Sequence, residues 1–318
     1  MLKSIIQKIP VPLAGVMLAT SSLGNLLQPY NEIYHTICGI IAGFLLVLCL
    51  IKFIMYPKMI KEDLANPVIA SVSTTFTMGL MVMCTYFKPF IGEVARYIWI
   101  IAIILHFVLM IYFTLRFVIK PVWDKVFATY FVPIVGIVVA SVTAPAFEMQ
   151  SFGVIIFWFG FVTYIMLLPY VTYRYIKYAV TIDGEQPLLC IYAAPASLTL
   201  AGYLSCESNP QTWIVYFLIV LATFMWGFIM LQMPKLLRLQ FFPSYAAMTF
   251  PFVISAVACG KAADLLQNDL LSILSKVEMV WAIIIVGYVI IRYVKYLFID
   301  TARPYAKASR QKDALRSE

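Results

Sequence analysis

The sequence predicts an all-α integral membrane protein of ten transmembrane helices arranged as five helical hairpins. Three observations predict it. Of 318 residues, 63% are hydrophobic and 12% charged, with a mean hydropathy of +0.92, whereas soluble domains run near a quarter charged. An uncharged apolar run of ~18 or more residues reads as a bilayer span, and about ten such runs follow one another. Every second run opens near a proline, at Pro12, Pro67, Pro133, Pro187 and Pro243, with intervals of 55, 66, 54 and 56 residues. A period one hairpin long points to five copies of one unit, and proline suits a first helical turn, where its missing N–H costs nothing.

The expected spans are 12–27, 33–56, 67–86, 94–119, 133–147, 151–176, 187–205, 211–236, 243–262 and 272–297. The first opens on Pro10 and Pro12 without a separate cleavage region, so a cleavable signal is not expected. Residues 1–300 form the ten-helix domain, and 301–318 read as a polar, basic cytoplasmic tail too short for a core. The two kinds of span differ in composition. Gly, Ala, Ser and Thr fill 38 of 90 positions in the odd spans and 20 of 128 in the even ones. An even span such as "VIIFWFGFVTYIMLL" (Val154–Leu168) is bulky and apolar, as a lipid-facing helix can be, whereas small residues belong where backbones approach or space stays open. The odd helices are therefore expected to form an inner ring, with the even helices around them.

Small residues also serve plain helix packing. Two further features favour a path. The odd spans hold hydroxyl clusters, "TSS" at 20–22, "SVSTTFT" at 71–77, "SVT" at 141–143 and "SLT" at 197–199. Prolines also recur among them, at Pro133, Pro145, Pro195 and Pro251, and an interior proline frees a carbonyl and bends the helix. At membrane depth such backbone is tolerated only inside protein or beside a water-filled cavity.

Charge orients the chain. With the N-terminus inside, 19 of the 23 Lys and Arg lie on the cytoplasmic side, against Lys88, Arg96, Lys261 and Lys276 outside. By the positive-inside rule both termini are cytoplasmic. The net charge of +8 then faces the anionic inner leaflet, and no nucleic-acid partner is implied.

Inside the odd spans the only Asp, Glu, Lys or Arg is Lys261. Cation paths, proton pumps and voltage sensors carry intramembrane charge, so a neutral, hydroxyl-bearing lining argues against a cation channel and suits a weakly bound anion. No HExxH, GxSxG or paired carboxylate lies in a span, so an enzyme is not expected. The six cysteines and two histidines show no ligand spacing, and neither metal nor cofactor is assigned.

Two stretches carry a family resemblance: "PLAGVMLA" (Pro12–Ala19) and "YAAMTFPF" (Tyr245–Phe252). With the ten-span plan they resemble the tellurite-resistance/dicarboxylate transporter family, which contains bacterial TehA, malate permeases and the plant slow anion channels. The resemblance implies a homotrimer with a pore in each protomer, ringed by five inner helices in quasi-fivefold arrangement. It also implies Phe250 as a plug of that pore and Gly15 facing it across the conduit. The chain lacks the long phosphorylatable termini of the plant channels, so kinase gating is not expected.

From the residues alone Phe250 is either core filler or gate, and Phe76 is a rival. Phe252 lies roughly 200° round the helix from Phe250, so the two cannot both face an axis. Kinks are assigned to Pro133, Pro195 and Pro251, and lining to Thr20, Ser73, Ser141 and Ser197. The expected function is a multi-pass plasma (inner) membrane channel for small inorganic or organic anions, closed by a phenylalanine gate that excludes water. The alternatives are a proton-coupled C4-dicarboxylate (malate) transporter or a tellurite-resistance exporter on the same fold.

Overall fold

A computed structural model of the chain describes residues 2–298; the expected tail at 301–318 lies outside them. The described residues are helical throughout, without a strand. Nine helices among them are long and apolar enough to cross a membrane: α2 (Glu32–Met55), α3 (Pro67–Ile91), α4 (Glu93–Val118), α5 (Ala128–Phe147), α6 (Gln150–Lys177), α7 (Asp183–Cys206), α8 (Thr212–Leu236), α9 (Pro243–Leu266) and α10 (Asp269–Phe298). They are preceded by a shorter apolar helix, α1 (Leu13–Leu27). At 15 residues α1 is ~22 Å long, below the ~30 Å of a hydrocarbon core. Length and composition thus give nine crossings where the sequence predicts ten.

Burial divides the long helices as their composition does. In α3, α5, α7 and α9, 72–83% of the apolar window is buried, against 22–33% in α2, α4, α6, α8 and α10. In α1 every residue from Leu13 to Gly24 is buried. The even helices instead expose large apolar side chains, among them Ile40, Ile54, Met166, Phe224, Leu231 and Ile291. In water such faces would aggregate; against acyl chains they cost nothing.

The packing is regular. Helix α1 contacts α3, α3 contacts α5, α5 contacts α7, α7 contacts α9, and α9 returns to α1. Each even helix lies against the odd helix before it and the odd helix after it: α2 on α1 and α3, α4 on α3 and α5, α6 on α5 and α7, α8 on α7 and α9, and α10 on α9 and α1. Small residues permit this closeness. A Cβ added at Gly160 would lie 2.1 Å from Val138 Cγ2, and one at Gly202 2.5 Å from Val138 Cγ1. Val138 of α5 therefore packs directly on the backbones of α6 and α7.

The odd helices from α3 onward are also broken, whereas α1 runs as one α-helix. Helix α5 alternates 3-10 turns with short α segments, and α7 opens with a 3-10 run, Asp183–Ala193. Helix α9 opens with another, Pro243–Met248. Such runs rarely exceed 3–4 residues and often mark hinges or strain. The even helices run as α-helix, apart from a π turn, Thr114–Val118, that ends α4.

Candidate functional site

The stretch Tyr245–Ala256 is where α9 changes helix type. The 3-10 run ends at Met248, Thr249 takes φ −101° and ψ −77°, and an α-helix begins at Phe250. Pro251 is the second residue of that helix, where an absent N–H breaks no bond. The Ala246 carbonyl accepts both the Thr249 N–H at 3.2 Å and the Thr249 hydroxyl at 2.6 Å. Tyr245 is fully buried and donates to the carbonyls of Leu239 (2.7 Å) and Leu236 (3.2 Å), which anchors the run below the break. Pro195 and Pro133 stand at equivalent junctions. Pro195 is the second residue of the α segment Ala194–Cys206 after its 3-10 run, and Pro133 the third of Phe131–Val135 after Ala128–Tyr130. Pro145 lies in the closing 3-10 turn of α5, Ala144–Phe147.

Three phenylalanines compete for the interior. Phe76 packs edge-on against Phe53 of α2 at 4.8 Å, and Phe252 edge-on against Trp281 of α10 at 6.0 Å. Both rings are held by even helices. Phe250 is buried at 7% exposure, yet has no ring partner among the described residues. Gly15 of α1 sits where α9 and α3 meet it: an added Cβ would be 3.4 Å from Ala246 Cβ and 3.9 Å from Thr75 Cγ2. Ala246 is one turn before Phe250, so Gly15 faces α9 just below the break.

The hydroxyls assigned to a lining are all buried. Thr20 donates to the Val16 carbonyl (2.7 Å), Ser73 to Ala70 (2.7 Å) and Ser197 to Ala193 (3.0 Å), each within its own helix. Such back-bonding occupies the one proton and slightly bends the helix. Ser141 differs, donating across to the Gly153 carbonyl of α6 at 2.8 Å.

Buried cations near the helix ends are matched by neutral oxygens. Lys52 donates to the Gln7 carbonyl (2.7 Å). Arg174 donates to the Asp124 carbonyl (2.7 Å) and lies 4.1 Å over the Phe127 ring. Two residues that sequence reasoning set aside are also buried. His106 of α4 lies between α3 and α5, with Nδ1 2.7 Å from Thr77 Oγ1 and Nε2 3.0 Å from the Pro133 carbonyl. The carbonyl can only accept, so Nε2 carries the proton. Glu278 of α10 is 1% exposed and is the one fully buried acid among the described residues. The signal that marks it is a lone acid within an even span, 272–297.

A multi-pass bundle whose buried helices are broken and hydroxyl-rich, wrapped by continuous apolar ones, belongs to the class of membrane channels and transporters. The particular family follows from comparison: the family model SLAC1, voltage-dependent anion channel, matches residues 8–294. The chain belongs to that family, the one its sequence resembles. No curated protein matches the chain.

Proposed function

We propose that each protomer is an anion channel whose conduit runs between α1, α3, α5, α7 and α9, set in quasi-fivefold arrangement, with Phe250 as its gate. The observation that carries this reading is the packing order of the odd helices, each on the next and α9 back on α1. The family supports an anion as the permeant species. Phe250 is the best gate because Phe76 and Phe252 each pair with a ring of an even helix, while Phe250 pairs with no ring among the described residues. It also starts the helix after the break, where a small change at Thr249 swings the whole side chain. Displacing an apolar ring from a narrow neutral path lets water and anions in.

In this reading α1 counts as a tenth crossing, completed by the turn at Pro10–Pro12, and both termini are cytoplasmic in the plasma (inner) membrane. Gly15 supplies room beside α9 that a larger residue would fill. Thr20, Ser73 and Ser197 line the path and offer their protons to an anion by turning from the backbone. Ser141, bonded to α6, contributes less. The assembly is a homotrimer.

Anion flux through purified protein in planar bilayers tests the function. The expected result is a current whose reversal potential follows the chloride or nitrate gradient. Uptake of malate only under a pH gradient, without such a current, would replace the channel with a coupled transporter.

A further inference from the structure

Glu278 is used by nothing described so far. It lines a small cleft of ≈ 10 Å³ where α7, α8, α9 and α10 meet, whose wall includes Ser255, Thr223, Cys259 and Leu271. That is the lower limit for a single water. The Ser255 hydroxyl of α9 lines the same cleft, while Glu278 Oε2 is buried with no partner. Trp281 Nε1, three residues further along α10, is likewise buried and unpartnered. Between the Ser255–Glu278 pair and the turn that joins α9 to α10, the two helices are stitched together, by Ser275 Oγ donating to the Ala256 carbonyl (3.1 Å) and Cys259 Sγ to the Leu271 carbonyl (3.3 Å).

Among the described residues no cation lines this cleft. From α7 it meets Leu200, and from α8 Ile219, Ala222 and Thr223. From α9 the one titratable neighbour is Cys259. On α10 itself Lys276 is exposed, and Lys261 of α9 has Cys206 and Asp264 as its electrostatic partners instead.

We propose that Glu278 is a proton-binding site whose occupancy sets the packing of α10 on α9 and thereby controls anion passage. The proposal rests on reading α9 as the gate-bearing helix. The protonated acid fits the dry interface as it stands. Loss of its proton leaves a carboxylate whose Oε2 has no partner and whose polar neighbours across the cleft, Ser255 and Thr223, are neutral. A buried charge so poorly partnered favours any arrangement that lets water in. The available movement is separation of α10 from α9 at Ser255, five residues and ~7.5 Å of helix from Phe250. The ionised form therefore favours the conducting state.

Two readouts test this on the full-length protein. Infrared difference spectra between about pH 5 and about pH 9, the span between an exposed and a fully buried carboxyl, should show a protonated C=O band that is lost on alkalinisation. The band should be absent in Glu278→Gln and shifted in frequency in Ser255→Ala. Anion current should rise with pH by about fivefold or more, the low end of ordinary coupling between sites, and stay low and flat in Glu278→Gln. A band that does not titrate, or that persists in Glu278→Gln, overturns the site. A titrating band with a current indifferent to pH, or with Glu278→Gln following the wild-type profile, overturns its control of passage. Absence of anion current in the wild type and in Phe250→Ala alike sinks the channel reading instead, while the infrared band still decides the proton site.

Discussion

At the scale of single residues, contact with rigid neighbours separates glycines that hold the bundle from one assigned to the path. Gly160 has Val138 Cγ2 where its Cβ would be, at 2.1 Å. Val138 is β-branched and fully buried, so it cannot turn aside cheaply. Gly160→Ala is expected to destabilise the protein by ~1–3 kcal/mol, the usual cost of overpacking, read as a lower melting temperature of the purified protein. Gly15→Ala meets ordinary contacts at 3.4 and 3.9 Å and should melt as the wild type does. Composition marked the span of Gly15 as a place of close approach, whereas Gly160 lies in the stretch Val154–Leu168 that reads as bulky and lipid-facing. Glu278 was hidden for a different reason: a lone acid in a bulky helix reads as an exposed position until the helix is known to turn that face inward.

At the scale of elements, the ties between neighbouring helices are side chains donating to carbonyls of broken helices. His106 binds the Pro133 carbonyl and the Thr77 hydroxyl, linking α4 to α5 and α3. His106→Ala should cost ~1–3 kcal/mol for each buried polar group left unpaired, again as a fall in melting temperature. His106→Gln, able to donate and accept, should recover part of it; equal melting of all three proteins would show that the ties carry no stability. The prolines assigned to kinks, Pro133, Pro195 and Pro251, lie at the helix junctions in α5, α7 and α9, while no feature of the sequence indicates the 3-10 character before them. Proline restricts its own φ and its predecessor, and leaves the turn type before it to packing. Ser141 shows the consequence. Once α5 alternates 3-10 and α turns, a 3.6-residue period no longer gives the direction of a side chain, and its hydroxyl reaches α6.

At the scale of the whole molecule, the contrast between small-residue and bulky helices was legible because it reflects two solvents. Helices covered by protein need close approach, and helices covered by lipid need only apolar bulk. Burial of 72–83% against 22–33% in the long helices is that contrast expressed as area. Helix α1 matches its expected span, 12–27, to within one residue, and at 15 residues it falls short of a crossing by length alone. The account's central claim is a conduit between the odd helices closed by Phe250, and single-protein current recordings in planar bilayers test it most directly. Phe250→Ala should raise the anion current by about tenfold or more, which needs only ~1.4 kcal/mol off the barrier. Phe76→Ala and Phe252→Ala, whose rings rest on Phe53 and Trp281, should leave it near the wild-type level. An unchanged current in Phe250→Ala, with Phe76→Ala or Phe252→Ala opening the path instead, would contradict it.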